Sequence, residues 1–135
     1  MKILNFILYI SHSFLLLIKK VNNQDLKGRT KNALVLIIFM LCLSLISLIY
    51  SVGIFLSLVK YNGIILFSLS ILIFFLIRYL IFKRYNQSYN NIIEELKKKF
   101  NFRKRTIIVL FLAIWILSIS SVRISVLLVR EFVYK

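Results

Sequence analysis

Three apolar runs dominate the chain: Ala33–Val59, Gly63–Phe82 and Thr106–Val129. A helix rising about 1.5 Å per residue needs roughly 20 apolar residues to cross a hydrocarbon core, and each run is long enough. The first carries no charge, the second holds Arg78 near its end, and the third holds Arg123. Only Lys60-Tyr61-Asn62-Gly63 separates the first two runs. So short a connection predicts a tight turn and an antiparallel helical hairpin. The expected fold is an all-α membrane protein: one integral domain over residues 1–135 with three transmembrane helices.

Two other segments are patterned differently. Along residues 1–20, Lys2, Asn5, Tyr9, His12, Ser13, Lys19 and Lys20 fall on one arc of about 120° of a helical wheel, and the rest is almost wholly apolar. That pattern predicts an interfacial amphipathic helix with Tyr9 and the lysines toward headgroups. A short fourth span is the alternative, although residues 3–18 reach only about 24 Å. The polar Ser11-His12-Ser13 and the lack of a small-x-small cleavage site argue against a signal peptide.

Residues 83–105, KRYNQSYNNIIEELKKKFNFRKR, are amphipathic as well as basic. On a helix Tyr85, Tyr89, Ile92, Ile93, Leu96 and Phe100 share an arc of about 100°, and Asn, Gln, Glu and Lys take the remainder. Glu94–Lys98 and Glu95–Lys99 are i, i+4 pairs in the favourable order. With no proline or glycine after Gly63, the second span is expected to run on into this helix with a bend near Asn86, stopping at Asn101. Thr106 is the expected cap of the third span. The face of Tyr85, Tyr89, Ile92, Leu96 and Phe100 is read as a contact surface for a partner protein or for the protein's own N-terminal helix. Lys97, Lys98, Lys99, Arg103, Lys104 and Arg105 are read as binding anionic headgroups.

Composition agrees with the span reading, since 61% of residues are hydrophobic and mean hydropathy is +0.91. The formal net charge of +15 would suggest nucleic acid in a soluble protein. In a membrane protein such an excess marks cytoplasmic loops instead, so no nucleic-acid partner is expected. The basic segments 19–31 and 83–105 are accordingly placed on the cytoplasmic side, and the turn at Lys60 and the tail from Arg130 to Lys135 outside. Proline is absent, glycine occurs three times, and Ile, Leu, Lys, Asn and Phe abound. This is AT-rich codon usage, pointing to the cytoplasmic membrane of a low-GC bacterium or to an organellar inner membrane.

Candidate chemistry is sparse. His12 is the sole histidine, Cys42 the sole cysteine, and Asp25, Glu94, Glu95 and Glu131 the only acids, none inside a predicted span. The single cysteine excludes an intrachain disulfide and a multi-cysteine metal cage. A carboxylate-based proton path through the membrane also lacks its group. No catalytic residue, metal or cofactor is expected. Ser44, Ser47 and Ser51 form one stripe, and Ser118, Ser121 and Ser125 another at matching depth on a parallel span. Such stripes suit a helix-packing seam, with a hydrophilic pore lining as the alternative. Arg78 is expected to snorkel to headgroups. Arg123 lies about 25 Å beyond Thr106 and is either another snorkelling side chain or a functional intramembrane charge. Trp115 falls near mid-depth, whereas Tyr50, Tyr61, Tyr79 and Tyr134 sit where interfacial aromatic belts form.

The layout of an aromatic-rich N-terminal helix, a spanning hairpin, a KRYNQSYNNIIEELKKK helix and a last span resembles that of small three-span membrane proteins of AT-rich bacterial genomes. The resemblance rests on order and composition and implies an immunity or accessory role, with no site residue to transfer. The expected function is thus non-enzymatic. It is exercised through contacts with a protein partner or a second copy, as an accessory subunit of a membrane assembly or as a membrane-resident immunity protein. A holin-like or effector pore and an organelle-encoded respiratory-complex subunit are the alternatives.

Overall fold

The computed structural model describes residues 2–18, 23–56, 60 and 62–133. Lys19, Lys20, Val59, Tyr61, Tyr134 and Lys135, which figure in the sequence reading, lie outside the described residues. Five helices and no strand occur among those described: α1 Lys2–Ile18, α2 Asn23–Phe55, α3 Gly63–Arg84, α4 Tyr89–Lys99 and α5 Lys104–Val133. Three of them, α2, α3 and α5, are long and apolar enough to cross a membrane. Their boundaries differ from the apolar runs for local reasons. α2 begins at Asn23, well before Ala33, because a helix can carry Asp25, Lys27 and Arg29 in its polar first turns. Its described end is Phe55, and Val59 lies outside the described residues. α5 starts at Lys104 rather than Thr106, its first turn closed by Ile107 N–H donating to Arg103 O at 3.2 Å, so Thr106 is not the cap.

The loop between α2 and α3 is tied down by two polar side chains. Tyr50 Oη donates to Lys60 O at 2.8 Å and accepts from Asn62 N–H at 2.8 Å. Asn62 Oδ1 in turn caps α3, accepting from Ile64 N–H at 3.1 Å and Ile65 N–H at 3.4 Å. An asparagine in this position satisfies backbone donors that a helix start leaves unpaired.

α2 is the central helix: its most extensive contact is with α5, and it also packs α3 and α1. Small side chains occupy the α2–α5 seam. Ser44, Ser51, Ser118 and Ser125 are all buried, and Ser125 Oγ lies 3.1 Å from Ser44 O across the two helices. Ser47 and Ser121 are only half-buried at its edge. Most of the hydroxyls bond their own helix, as in Ser51 to Ser47 O and Ser118 to Ile114 O, which hides their polarity in a dry contact. α3 by contrast is apolar nearly all round and largely uncovered, with Ile64, Phe67, Leu72 and Phe75 exposed.

The hydrophobic core gathers at one end of these three helices, and α1 is its centre. Leu8 and Ile10 have no exposed surface and Tyr9 and Ser11 almost none, so consecutive positions are covered right round the helix. α2 and α5 supply one side of the enclosure, through Leu34, Val35 and Phe111, and α4 supplies the other. Phe14 stacks on Phe111 with ring centroids 3.9 Å apart, and Phe6 meets Phe100 edge-on at 5.7 Å. This corrects the expectation that Tyr9 faces headgroups. α1 is a buried element between α4 and the long helices, with only positions such as Ile3, Leu16 and Ile18 left open.

The serine seam generates a graded expectation. Ser118→Leu and Ser125→Leu place extra methylenes where no space exists and should each lower stability by about 1–3 kcal/mol. Ser121→Leu, at the half-buried edge, should cost clearly less. Thermal melting of the purified chain in one detergent ranks the three, and an equal effect at all sites would contradict the packing described.

Candidate functional site

Residues 83–105 do not form one helix. α3 stops at Arg84, and a turn over residues 85–88 precedes α4. Polar bonds hold the turn: Lys27 of α2 donates its Nζ to Asn86 O at 2.6 Å, and Ser88 Oγ donates to Arg84 O at 3.0 Å. α4 closes at Lys99, with the Phe100 N–H donating to Leu96 O at 2.8 Å, so it stops before Asn101.

The turn aims the aromatic face of α4 at α1, where it meets the polar arc of that helix. Tyr85 Oη donates to Asn5 Oδ1 at 2.8 Å, Tyr9 Oη donates to Phe100 O at 2.8 Å, and Tyr89 Oη lies 2.6 Å from His12 Nδ1. Asn5, Tyr9 and His12 stand at i, i+4 and i+7, one stripe of α1. Tyr85 and Tyr89 are buried, whereas Ile92, Leu96 and Phe100 are half-buried against α1. The surface that the sequence offers to a partner or to the N-terminal helix is therefore occupied by the N-terminal helix. Ile93, on the same arc, is buried beneath it.

Electrostatics keep this contact neutral. Burial, and then the nearby Lys97 ammonium, hold the His12 imidazole below its usual pKa. Burial pushes the Tyr89 phenol above its ordinary value, an effect partly offset by the Thr30 hydroxyl. Tyr85 is raised by burial in the same way, with the Arg84 guanidinium working against the shift. A protonated phenol facing a neutral imidazole makes Tyr89 the donor and His12 Nδ1 the acceptor, with the ring hydrogen on Nε2. Two cations of α2 flank the pair: Lys27 Nζ stands 5.5 Å from the Tyr89 ring centroid, and Lys31, itself buried, lies 4.5 Å from the Phe82 ring centroid. These are cation–π contacts, which let a lysine sit beside apolar surface without a carboxylate.

The remaining predicted site residues take no part in these hydrogen bonds, although Lys97 stands near His12. Lys97, Lys98, Lys99, Arg103, Lys104 and Arg105 are exposed around the end of α4 and the start of α5. Arg123 is exposed far along α5, and Arg78 is exposed on α3 with its guanidinium carbon 5.5 Å from the Phe82 ring centroid. Trp115 packs near Phe111, and its indole N–H is buried with no hydrogen-bond partner among the described residues. No group of three His, Cys, Asp or Glu side chains is placed to hold a metal among the described residues. The sequence placed Asn5 on the polar arc of α1 without a partner and gave Lys27, Thr30 and Lys31 no role in a site. The one available signal was the polar arc of α1, since such an arc on an otherwise apolar helix needs either water or polar partners.

The pH dependence follows from the depressed imidazole. The folded pKa of His12 lies below the unfolded value of about 6.5, so between the two the unfolded chain binds more protons. Its contribution is complete above about pH 6.5 and is lost as pH falls through the folded pKa. Melting temperature should therefore decline as pH drops below about 6.5, before the carboxylates titrate near pH 4, and H12Q should flatten that part of the profile. Tyr89→Phe should cost about 1 kcal/mol at neutral pH. An identical profile for the wild type and H12Q would contradict the assignment.

No protein-family model, no curated protein and no solved structure matches the chain.

Proposed function

We propose that the protein is a non-enzymatic integral membrane protein that acts through protein contacts, as an accessory subunit of a membrane assembly or a membrane-resident immunity protein. The observation that carries this reading is the cap made by α1 and α4. Three hydrogen bonds between side chains and partners distant in sequence fix both helices over one end of three span-like helices. A fixed, basic platform attached to apolar spans is suited to holding a partner at a bilayer surface. The aromatic face of α4 is turned to α1, so the partner surface is its opposite side, where Asn90, Asn91, Glu94 and Lys98 are exposed.

Orientation follows from charge. Lys27, Arg29 and Lys31 of α2, Lys83 and Arg84 of α3, the whole of α4 and Arg103 to Arg105 share the capped end, whereas Lys60 stands at the other. By the rule that basic segments stay inside, the cap is cytoplasmic and the Tyr50-clamped loop is external, in a bacterial cytoplasmic membrane. Lys97 to Lys99 and Arg103 to Arg105 then reach anionic headgroups, each contributing about 1 kcal/mol to surface attraction. The pore alternative would have the serines lining water, but four of the six are buried between α2 and α5.

In a background with Cys42 replaced by Ala, N90C should react with an impermeant thiol reagent only from the cytoplasmic side and N62C only from outside. Reaction of both from one side would refute the topology. A photo-crosslinking residue at Asn91 should then yield a discrete adduct in native membranes, with none from Phe75 on the apolar flank. The contact reading fails if Asn91 gives no adduct while the purified chain conducts ions across a planar bilayer.

A further inference from the structure

A groove of about 730 Å³ opens between α1 and the capped end of α3, within the roughly 300–1,000 Å³ typical of small-molecule sites. Leu4 of α1, Ile38 of α2, and Ile77 and Ile81 of α3 form its apolar walls. Ile77 and Ile81 are otherwise buried, so the groove has a recessed floor and is more than an uncovered flank. Lys83 and Arg84 stand at its rim, and no acidic residue lines it. The groove between α1 and α4, about 370 Å³, also has apolar walls but brings an acid, Glu95, to its lining along with Lys2 and Lys99.

We propose that the groove between α1 and α3 binds one anionic phospholipid, its acyl chain against Ile38, Ile77 and Ile81 and its phosphate held by Lys83 and Arg84. Chemistry and spacing both point to that class of ligand. Ile77 to Arg84 spans about 10 Å along the helix, so an apolar trough ends at two cations as an acyl chain ends at a phosphate. A free phosphate would leave the trough unused, and the two positive charges at its end suit a ligand with net negative charge. Aromatic rings brace both cations at the rim: Lys83 Nζ lies 5.7 Å from the Tyr79 ring centroid, and the Arg84 guanidinium carbon 5.4 Å from that of Tyr85. Because Tyr85 also donates to Asn5, a lipid held here bears on the joint between α3 and the cap. The site rests on the proposed placement of the capped end at headgroup level. It is separate from the exposed cluster on α4.

The test uses the full chain purified in a neutral detergent and titrated with phosphatidylglycerol, phosphatidylcholine or inorganic phosphate. Bound lipid is counted by native mass spectrometry, and stability is followed by melting. Phosphatidylglycerol should bind the wild type one to one and raise its melting temperature, whereas phosphatidylcholine binds more weakly and phosphate does nothing. K83Q/R84Q should lower phosphatidylglycerol affinity about thirtyfold, as expected for two surface charges, and leave phosphatidylcholine unaffected. I38W should fill the trough and exclude both lipids, with L4W as a second filling variant should the first fail to fold. K97Q/K98Q/K99Q should retain the one-to-one binding. Unchanged affinity in K83Q/R84Q, loss only in the α4 triple variant, or equal stabilisation by phosphate alone would overturn the proposal. Opposite-side labelling of N62C and N90C with any of those results removes the lipid site and leaves the topology standing.

Discussion

Burial of a polar stripe is the constraint from which the rest of this structure follows. α1 has apolar residues on most of its circumference, and the helix can be enclosed only if Asn5, Tyr9 and His12 find partners away from water. An unpaired polar group in a protein interior costs about 1–3 kcal/mol, so three of them would outweigh much of the gain from enclosing Leu8 and Ile10. Tyr85, the Phe100 carbonyl and Tyr89 supply the partners. Meeting that need requires α4 to turn back over α1, which in turn requires the break after Arg84. The bond from Lys27 to the Asn86 carbonyl stabilises the break.

The capped end is therefore organised as a soluble core would be, with aromatic stacking, side-chain hydrogen bonds and buried aliphatics. The far end holds together differently, through the dry serine contact of α2 with α5 and the Tyr50 bridge to the loop. Apolar surface is left open along α3, where a hydrocarbon solvent imposes no cost on leaving it so. Small residues in the seam fit the same logic, because in lipid close backbone approach replaces the hydrophobic effect as the source of helix association.

The parts of this architecture that were legible in the sequence are those written as one-dimensional periodicity. The three long apolar runs announce helices of span length, and the arc from Tyr85 to Phe100 announces a face that must be covered. Helix ends were less legible. α2 extends back to Asn23 and α5 to Lys104 because Lys and Arg are good helix formers, and apolarity alone does not detect them. Least legible was the destination of the α1 polar arc: its spacing fits an interfacial helix and a buried one equally. The choice is made by residues about eighty positions away. His12 is one polar residue among several in the sequence, and only its three-dimensional setting, burial and then the Lys97 charge, lowers its pKa, while Tyr89 gives its ring a partner.

The sequence separation of the cap contacts, 91, 77 and 80 residues, bears on how the protein is made. Synthesis runs from the N-terminus at roughly 5–20 residues per second, so α1 emerges several seconds before Tyr85, Tyr89 and Phe100 exist. The α2–α3 hairpin, closed by Tyr50, Lys60 and Asn62, holds contacts near in sequence and can form while the remainder is still on the ribosome. α1 meanwhile has α2 to lie against but lacks α4 and Phe111, the ring on which Phe14 stacks. α1 is thus made well before its enclosure can be completed, and for that interval its uncovered side is a ready docking surface for a chaperone or for the membrane itself.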